Sequence, residues 1–240
     1  MKPAVCDIMK MIVNAYDPLL NSNILEGSLP LYMLFKADSS LTPMFRDAFA
    51  RLSDKTLEVC INIPLRQLSV TVENYFRFTV QVFKKYPNFL LEQITPINIE
   101  YIYKLAIASL ELPERRTLAE VCAFLCLYRQ KSTGVDHLHE IFVRNLNEML
   151  VNLFNIMGGN YSTPRNAIDH VTDLLYVIVD APEIRLPLKE IVDRDNFPTS
   201  FVNQEQKSRF VSRLTYERNR RKFKDMCNDF VLVLRNLNRQ

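Results

Sequence analysis

The sequence predicts an all-α protein, an α-solenoid of antiparallel helix pairs of the HEAT kind. Three observations carry that prediction. Apolar residues recur at three- and four-residue spacing along almost the whole chain, as they do on helices with one buried face. Only four glycines occur in 240 residues, too few for the tight turns of a sheet protein. The second helices of successive pairs begin near residues 70, 114, 163 and 204. That interval of roughly 40–50 residues is close to the HEAT period.

The elements follow in order. A first helix is expected from Pro3 to Tyr16, with Val5, Ile8, Met9, Ile12 and Tyr16 as its stripe. Residues 17–41 are punctuated by Pro18, Gly27 and Pro30, and a helix with surrounding loops is expected there. The next stripe, from Thr42 to Asn62, is Phe45, Phe49, Leu52, Val59 and Cys60. Residues 70–86 carry Val72, Tyr75, Phe76, Thr79, Val82 and Phe83, and residues 96–111 carry Ile99, Ile102, Tyr103, Ala106, Ile107 and Leu110. Leu118, Val121, Cys122 and Leu125 mark a helix over 114–130. Phe142, Leu146, Met149, Leu150, Leu153, Phe154 and Met157 mark one over 137–157. Ile168, Val171, Leu175 and Ile178 mark one over 164–180. Its end, Leu174 to Val179, is apolar without interruption, so neighbours should cover it on most sides.

The boundaries agree with the stripes. Thr-Pro stands at 42–43, 95–96 and 163–164. Threonine suits an N-cap, and proline suits the first helical position because its missing N–H would be unpaired there anyway. Gly158-Gly159 suits a C-cap. Leu112-Pro113-Glu114 and Ala181-Pro182-Glu183 read as tight breaks between neighbouring helices. Short connections of this kind make consecutive helices antiparallel neighbours. The chain is therefore expected to form a single solenoid over 1–240, with 203–240 as its terminal capping repeat.

Composition and motifs exclude several function classes. The chain is 48% hydrophobic and 24% charged, with net charge +3, an ordinary globular balance. The charge is uneven: residues 203–240 carry +6 and the rest −3. Five scattered cysteines suggest free thiols. Cys122 and Cys126 lie one turn apart, but no second pair completes a zinc site. His137 and His139, at i and i+2, do not share a helix face and read as solvated. His170 lies near Asp169 and Asp173 without a nucleophile placed beside it. No phosphate loop, apolar membrane span or signal-peptide layout occurs. No catalytic constellation, metal site or cofactor is implied.

The basic run Glu217-Arg218-Asn219-Arg220-Arg221-Lys222 lies between a helix ending near Tyr216 and one with the stripe Phe223, Met226, Cys227, Phe230, Val231, Leu234 and Leu237. The preferred reading is a solvated elbow, with Arg218, Arg220 and Arg221 facing water or an acidic side chain. Asp225 and Asp229 interleave with Lys222, Lys224 and Arg235, as on an ordinary solvated face. A protein-binding or intramolecular acidic contact is the second reading. Nucleic-acid binding is the third, since no aromatic residue interleaves with the run for base stacking. If the second helix of each pair lines a concave wall, its polar positions are candidate protein contacts. These are Glu73 and Arg77, then Arg116 and Glu120, then Arg165, Asp169 and Asp173.

Three stretches carry a family resemblance: VTVENYFRFTVQVFKKYPNFLL (70–91), INIEYIYKLAIASLELPERRTLAEVCAFLCLY (97–128), and NFPTSFVNQEQKSRFVSRLTYERNRRKFKDMCNDFVLVLRNL (196–237). The last has an FPS-like start, a PEQK-like tetrad, an ERxxKR-like basic run and a closing helix with Arg before its end. Together they resemble the C-terminal part of a receptor in the importin-beta superfamily of nuclear transport receptors. That resemblance implies an α-solenoid that wraps folded protein cargo, shuttles between nucleus and cytoplasm, and is not an enzyme. Ran-GTP would act through N-terminal repeats, to which nothing in this sequence corresponds, so the chain is expected to be a C-terminal fragment or truncated product. Two other classes stay open: a helical-repeat scaffold for protein–protein interaction without a transport role, and a helical RNA-binding array.

Overall fold

The computed structural model describes residues 2–34, 39–86 and 96–237, and no strand occurs among them. The described α-helices are α1 (Lys2–Ala15), α2 (Ile24–Leu34), α3 (Thr42–Asn62), α4 (Ser69–Lys85), α5 (Pro96–Ala108), α6 (Arg115–Ser132), α7 (Asp136–Gly158), α8 (Ile168–Ile178), α9 (Arg185–Asp193), α10 (Gln204–Tyr216) and α11 (Arg220–Leu234). They form two compact units, residues 1–109 and 110–240.

In the first unit, α1 packs on α2 and α3, α2 packs on α4, and α3 packs on α5. Each pair thus lays its first helix on the next first helix and its second on the next second helix, which is how a solenoid buries its faces. The α4 and α5 stripes are buried throughout. Phe49 stacks on Phe78 with centroids 5.7 Å apart. Buried hydroxyls find partners, as buried polar groups must: Tyr75 OH donates to Ser53 Oγ at 2.9 Å, and Tyr16 OH lies 2.6 Å from Thr56 Oγ1. Lys55 Nζ donates to the carbonyls of Val13 and Tyr16 at 2.7 and 2.9 Å. A cation thereby satisfies the carbonyl end of α1, where the helix dipole favours it.

Two stripes of the first unit differ from expectation. On α1, Val5, Met9 and Val13 face inward while Ile8 is 46% exposed. On α3, Val59 and Cys60 are only half-buried. The inward face there is Phe45, Ala48, Phe49, Leu52, Ser53 and Thr56. It uses small and hydroxylated residues that an apolar count passes over. The Thr-Pro starts differ too. Thr42 is the first helical residue of α3 rather than its cap. Thr95 lies outside the described residues. Thr163 Oγ1 is buried without a hydrogen-bond partner, and Arg165–Ala167 form a 3₁₀ turn before α8.

In the second unit, α8 lies between α6 and α11 and also touches α7, so the uninterrupted Leu174–Val179 run is covered as expected. Helix α9 packs on α7, and α10 packs on α9 and α11. The fourth pair therefore differs from one whose second helix begins near residue 204. It is α11, not α10, that stacks on α8. Phe210 of α10 and Phe230 of α11 stack with centroids 3.8 Å apart at 9°, and Leu237, expected on the buried stripe, is 51% exposed. Gly159 ends α7 in the left-handed conformation, at φ 86°, as the C-cap requires. Gly158 has a different reason. A Cβ there would stand 3.1 Å from Pro198 Cβ and Thr199 Cγ2, so any side chain would push the crossing segment back by a few tenths of an ångström.

Candidate functional site

The basic run forms an elbow. Helix α10 ends at Tyr216 and α11 begins at Arg220. The Asn219 side chain accepts from Lys222 N at 3.1 Å and caps the new helix. Arg218 Nη2 pairs with Asp180 at 3.2 Å, and Tyr176 OH donates to the Arg218 carbonyl at 2.7 Å. Arg220 Nη2 reaches Asp173 Oδ1 at 2.9 Å. Lys224 Nζ lies 3.1 Å from Asp173 and 3.9 Å from Asp169. Arg221 is exposed. The elbow's cations thus meet the acidic groups of α8 and its end. Two sets of candidate contacts that were separate in the sequence, Asp169 and Asp173 in one and Arg218 and Arg220 in the other, come together.

The electrostatics follow from that contact. Burial pushes the Asp173 carboxyl up, but the hydrogen bonds and charges of Arg220 and Lys224 outweigh it and hold the group below the usual carboxylate range. Burial, followed by the charge of Arg115, lowers the neighbouring His170 and favours its neutral form.

The remaining candidates lie elsewhere. Glu73 and Arg77 pair with one another along α4. Arg116 is exposed at the start of α6, with Glu120 half-buried one turn on, and Arg165 is exposed in the 3₁₀ turn. His139, expected to be solvated, instead places Nε2 3.1 Å from Glu183 Oε1.

The family-like ending has a structural use. Asn203 and Gln206 form a reciprocal capping box at the start of α10. Lys207 is buried and its Nζ donates to the Arg194 carbonyl. Arg235 is not on a solvated face. Its guanidinium donates to the carbonyls of Ile156, Met157 and Thr163 at 2.8, 3.0 and 3.0 Å. Those bonds hold the end of α7 and the turn after it. Thr199 Oγ1 donates to the Leu234 carbonyl at 2.9 Å, and Asn160 Nδ2 to the Pro198 carbonyl at 3.0 Å.

An open apolar groove of about 550 Å³ lies in the first unit, between the second half of α3 and α5. Leu57, Cys60, Ile61, Leu65, Tyr101 and Leu105 line it. Ile61 is 79% exposed and Tyr101 53% exposed. Burial pushes the Cys60 thiol up to about 11, so this cysteine is part of an apolar wall and not a nucleophile. Asp54 and Glu58 stand on the α3 rim. On the α5 rim, Lys104 already pairs with Glu100 at 2.9 Å. The sequence signal for this groove was a second stripe on α3. Leu57 and Ile61 lie one turn apart, off the inward face, where apolar residues have no core to enter.

Among the described residues no group of three metal-ligating side chains occurs, and no helix is long and apolar enough to cross a membrane. No family model matches the chain. The chain is similar to importin-13 of Gallus gallus, with 22% identity over 238 residues, covering 98% of this chain and 24% of the relative. It is likewise similar to importin-13 of Homo sapiens, with 23% identity over 239 residues and the same coverage. The chain therefore spans about a quarter of the length of the curated relatives it matches. A solved structure described as importin13 in its cytosolic state superposes with a TM-score of 0.87 over 98% of this chain and 27% of that one, at 22% identity. The fold is that of the importin-13 solenoid, and the likeness is consistent with a C-terminal region.

Proposed function

We propose that this chain is a cargo-contacting, C-terminal segment of an importin-beta-type nuclear transport receptor, with residues 203–240 as its terminal capping repeat. The observation that carries the proposal is likeness to importin-13 along nearly the whole chain, in sequence and in fold together. The physical chemistry supports a binding role. Stacked helices offer long solvent-facing walls without any need for a reactive group. An exposed apolar groove of the kind between α3 and α5 is a common mark of protein contact. In this proposal the partner is a folded protein, the receptor moves between nucleus and cytoplasm, and Ran-GTP acts through repeats outside this segment.

A chimera tests the proposal. The segment of human importin-13 that this chain matches is replaced by the chain itself, and proteins captured by the immobilised chain from nuclear and cytosolic extract are offered as cargo. Transport of a captured protein in permeabilised cells, with release by Ran-GTP, is the expected result. Capture without transport by the chimera would favour a non-transport scaffold. Tight binding of Ran-GTP to the isolated chain would overturn the division of labour.

A further inference from the structure

We infer that this chain binds a second copy of itself head to tail, the α3–α5 face of one copy seating on the α10–α11 face of the other. This goes beyond the transport reading and does not rest on it.

The two faces carry opposite charges at the same spacing. Asp54 and Glu58 stand at i and i+4 on the exposed rim of α3. Arg209 and Arg213 stand at i and i+4 on the exposed rim of α10. Four residues of helix rise about 6 Å, so both pairs present their charges at one repeat distance. Like charges so placed repel along their own helix. Among the described residues, no side chain forms an ion pair with any of the four. Lys104, which faces the carboxylates, is held by Glu100. Asp229, on the α11 wall beside the arginines, sets one carboxylate against two guanidiniums. Laying α3 of one copy along α10 of another sets each carboxylate on a guanidinium, a pairing that can be bidentate, and removes both repulsions together.

The apolar parts match as well. Beside the carboxylates, Ile61 is 79% exposed and Tyr101 53% exposed, a surface that gains by being covered. Beside the arginines lies a trough of about 320 Å³ whose lining includes Phe210, Met226 and Phe230. Phe210 and Phe230 are buried and stacked on one another, so the floor is already firm. Ile61 of one copy enters that trough while the carboxylates meet the arginines on its rim. A partner of one charge would satisfy only one of these faces. A second copy satisfies both, because every copy brings the acidic face and the basic one. The two faces differ, so the contact is heterologous, and each copy added leaves one face of each kind open until a ring closes.

Sedimentation velocity on the intact chain, over a rising concentration series at low salt, tests this. The mean mass is expected to rise with concentration and to fall back as added salt screens the pairs. Reversing either face, by Asp54→Lys with Glu58→Lys or by Arg209→Glu with Arg213→Glu, should raise the concentration of half-association at least about tenfold. Each reversed variant then carries two faces of one sign. An equimolar mixture of the two variants restores opposite signs at every contact and is expected to associate as the wild type does. Ile61→Asp should weaken association without moving the melting curve. The substituted side chains are all exposed. If a reversed variant nevertheless melts early, the neutral pairs Asp54→Asn with Glu58→Gln and Arg209→Gln with Arg213→Gln replace it in the weakening test. A mass that stays that of one chain at every concentration overturns the inference. So does association that survives either reversal, or a mixture of the two folded variants that stays monomeric.

Discussion

Two charged surfaces of this molecule differ in one respect. At the elbow, Arg218, Arg220 and Lys224 are answered by Asp180, Asp173 and Asp169 of the same chain. On the α3 rim, Asp54 and Glu58 have no such answer and sit beside exposed apolar residues. The denser cluster is thus the one already used for folding. The sparser one meets no cation among the described residues. A charge run in sequence marks a binding face only when the fold leaves it unspent, and that is decided by residues far away along the chain.

Mutations sharpen the contrast. The largest expected effect lies where α10 meets α11: Phe230→Ala removes a buried ring stacked on Phe210 and should cost about 3–5 kcal/mol in urea melts. Arg235→Ala removes the donor to three carbonyls and should cost about 2–3 kcal/mol. Arg235→Lys should recover little of that, because an ammonium does not reproduce the planar fork. Arg220→Ala, at an exposed pair, should cost less than about 1 kcal/mol. If it proved costlier than Phe230→Ala, the elbow would be a buried network and the comparison would fail.

Acid sharpens it further. A carboxyl whose folded pKa is depressed below its ordinary 3.8 stabilises the fold above that value. The contribution is lost as pH falls through the lower folded pKa. Wild type should therefore lose more stability than Asp173→Asn as the pH falls below the ordinary carboxylate value of 3.8, as followed by circular dichroism. The smallest effect belongs to the groove, where Ile61→Asp should leave stability within about 0.5 kcal/mol. A large loss there would mean that Ile61 belongs to the core.

The sequence made most of the fold legible. Where a helix is buried along one clean apolar stripe, as in α4, α5, α6 and α7, every stripe residue is inside. It failed where polar atoms enter the core. On α3, Ser53 and Thr56 are buried because Tyr75 and Tyr16 supply hydroxyl partners, which no local pattern reveals. It also misjudged Arg235, whose side chain resembles its solvated neighbours until the end of α7 is placed beside it. The elbow's position between Tyr216 and Arg220 was legible, and so were acidic side chains as its companions. Which carboxylates those were depended on α11 lying on α8, a packing choice made between whole helices. The groove went unread because a stripe search keeps the strongest face and discards the second.

The Arg235 clamp also bears on how the protein is made. Its three carbonyl partners lie 72 to 79 residues earlier. During synthesis the end of α7 leaves the ribosome long before the guanidinium that will satisfy it. Until then the Met157 and Thr163 carbonyls must be served by water, and the Ile156 carbonyl has only the Gly159 N–H of its own cap. A premature stop at Arg235 would leave every described helix in place and still deny the second unit this contact. Such a product would sit nearer the threshold at which quality-control proteases remove a chain.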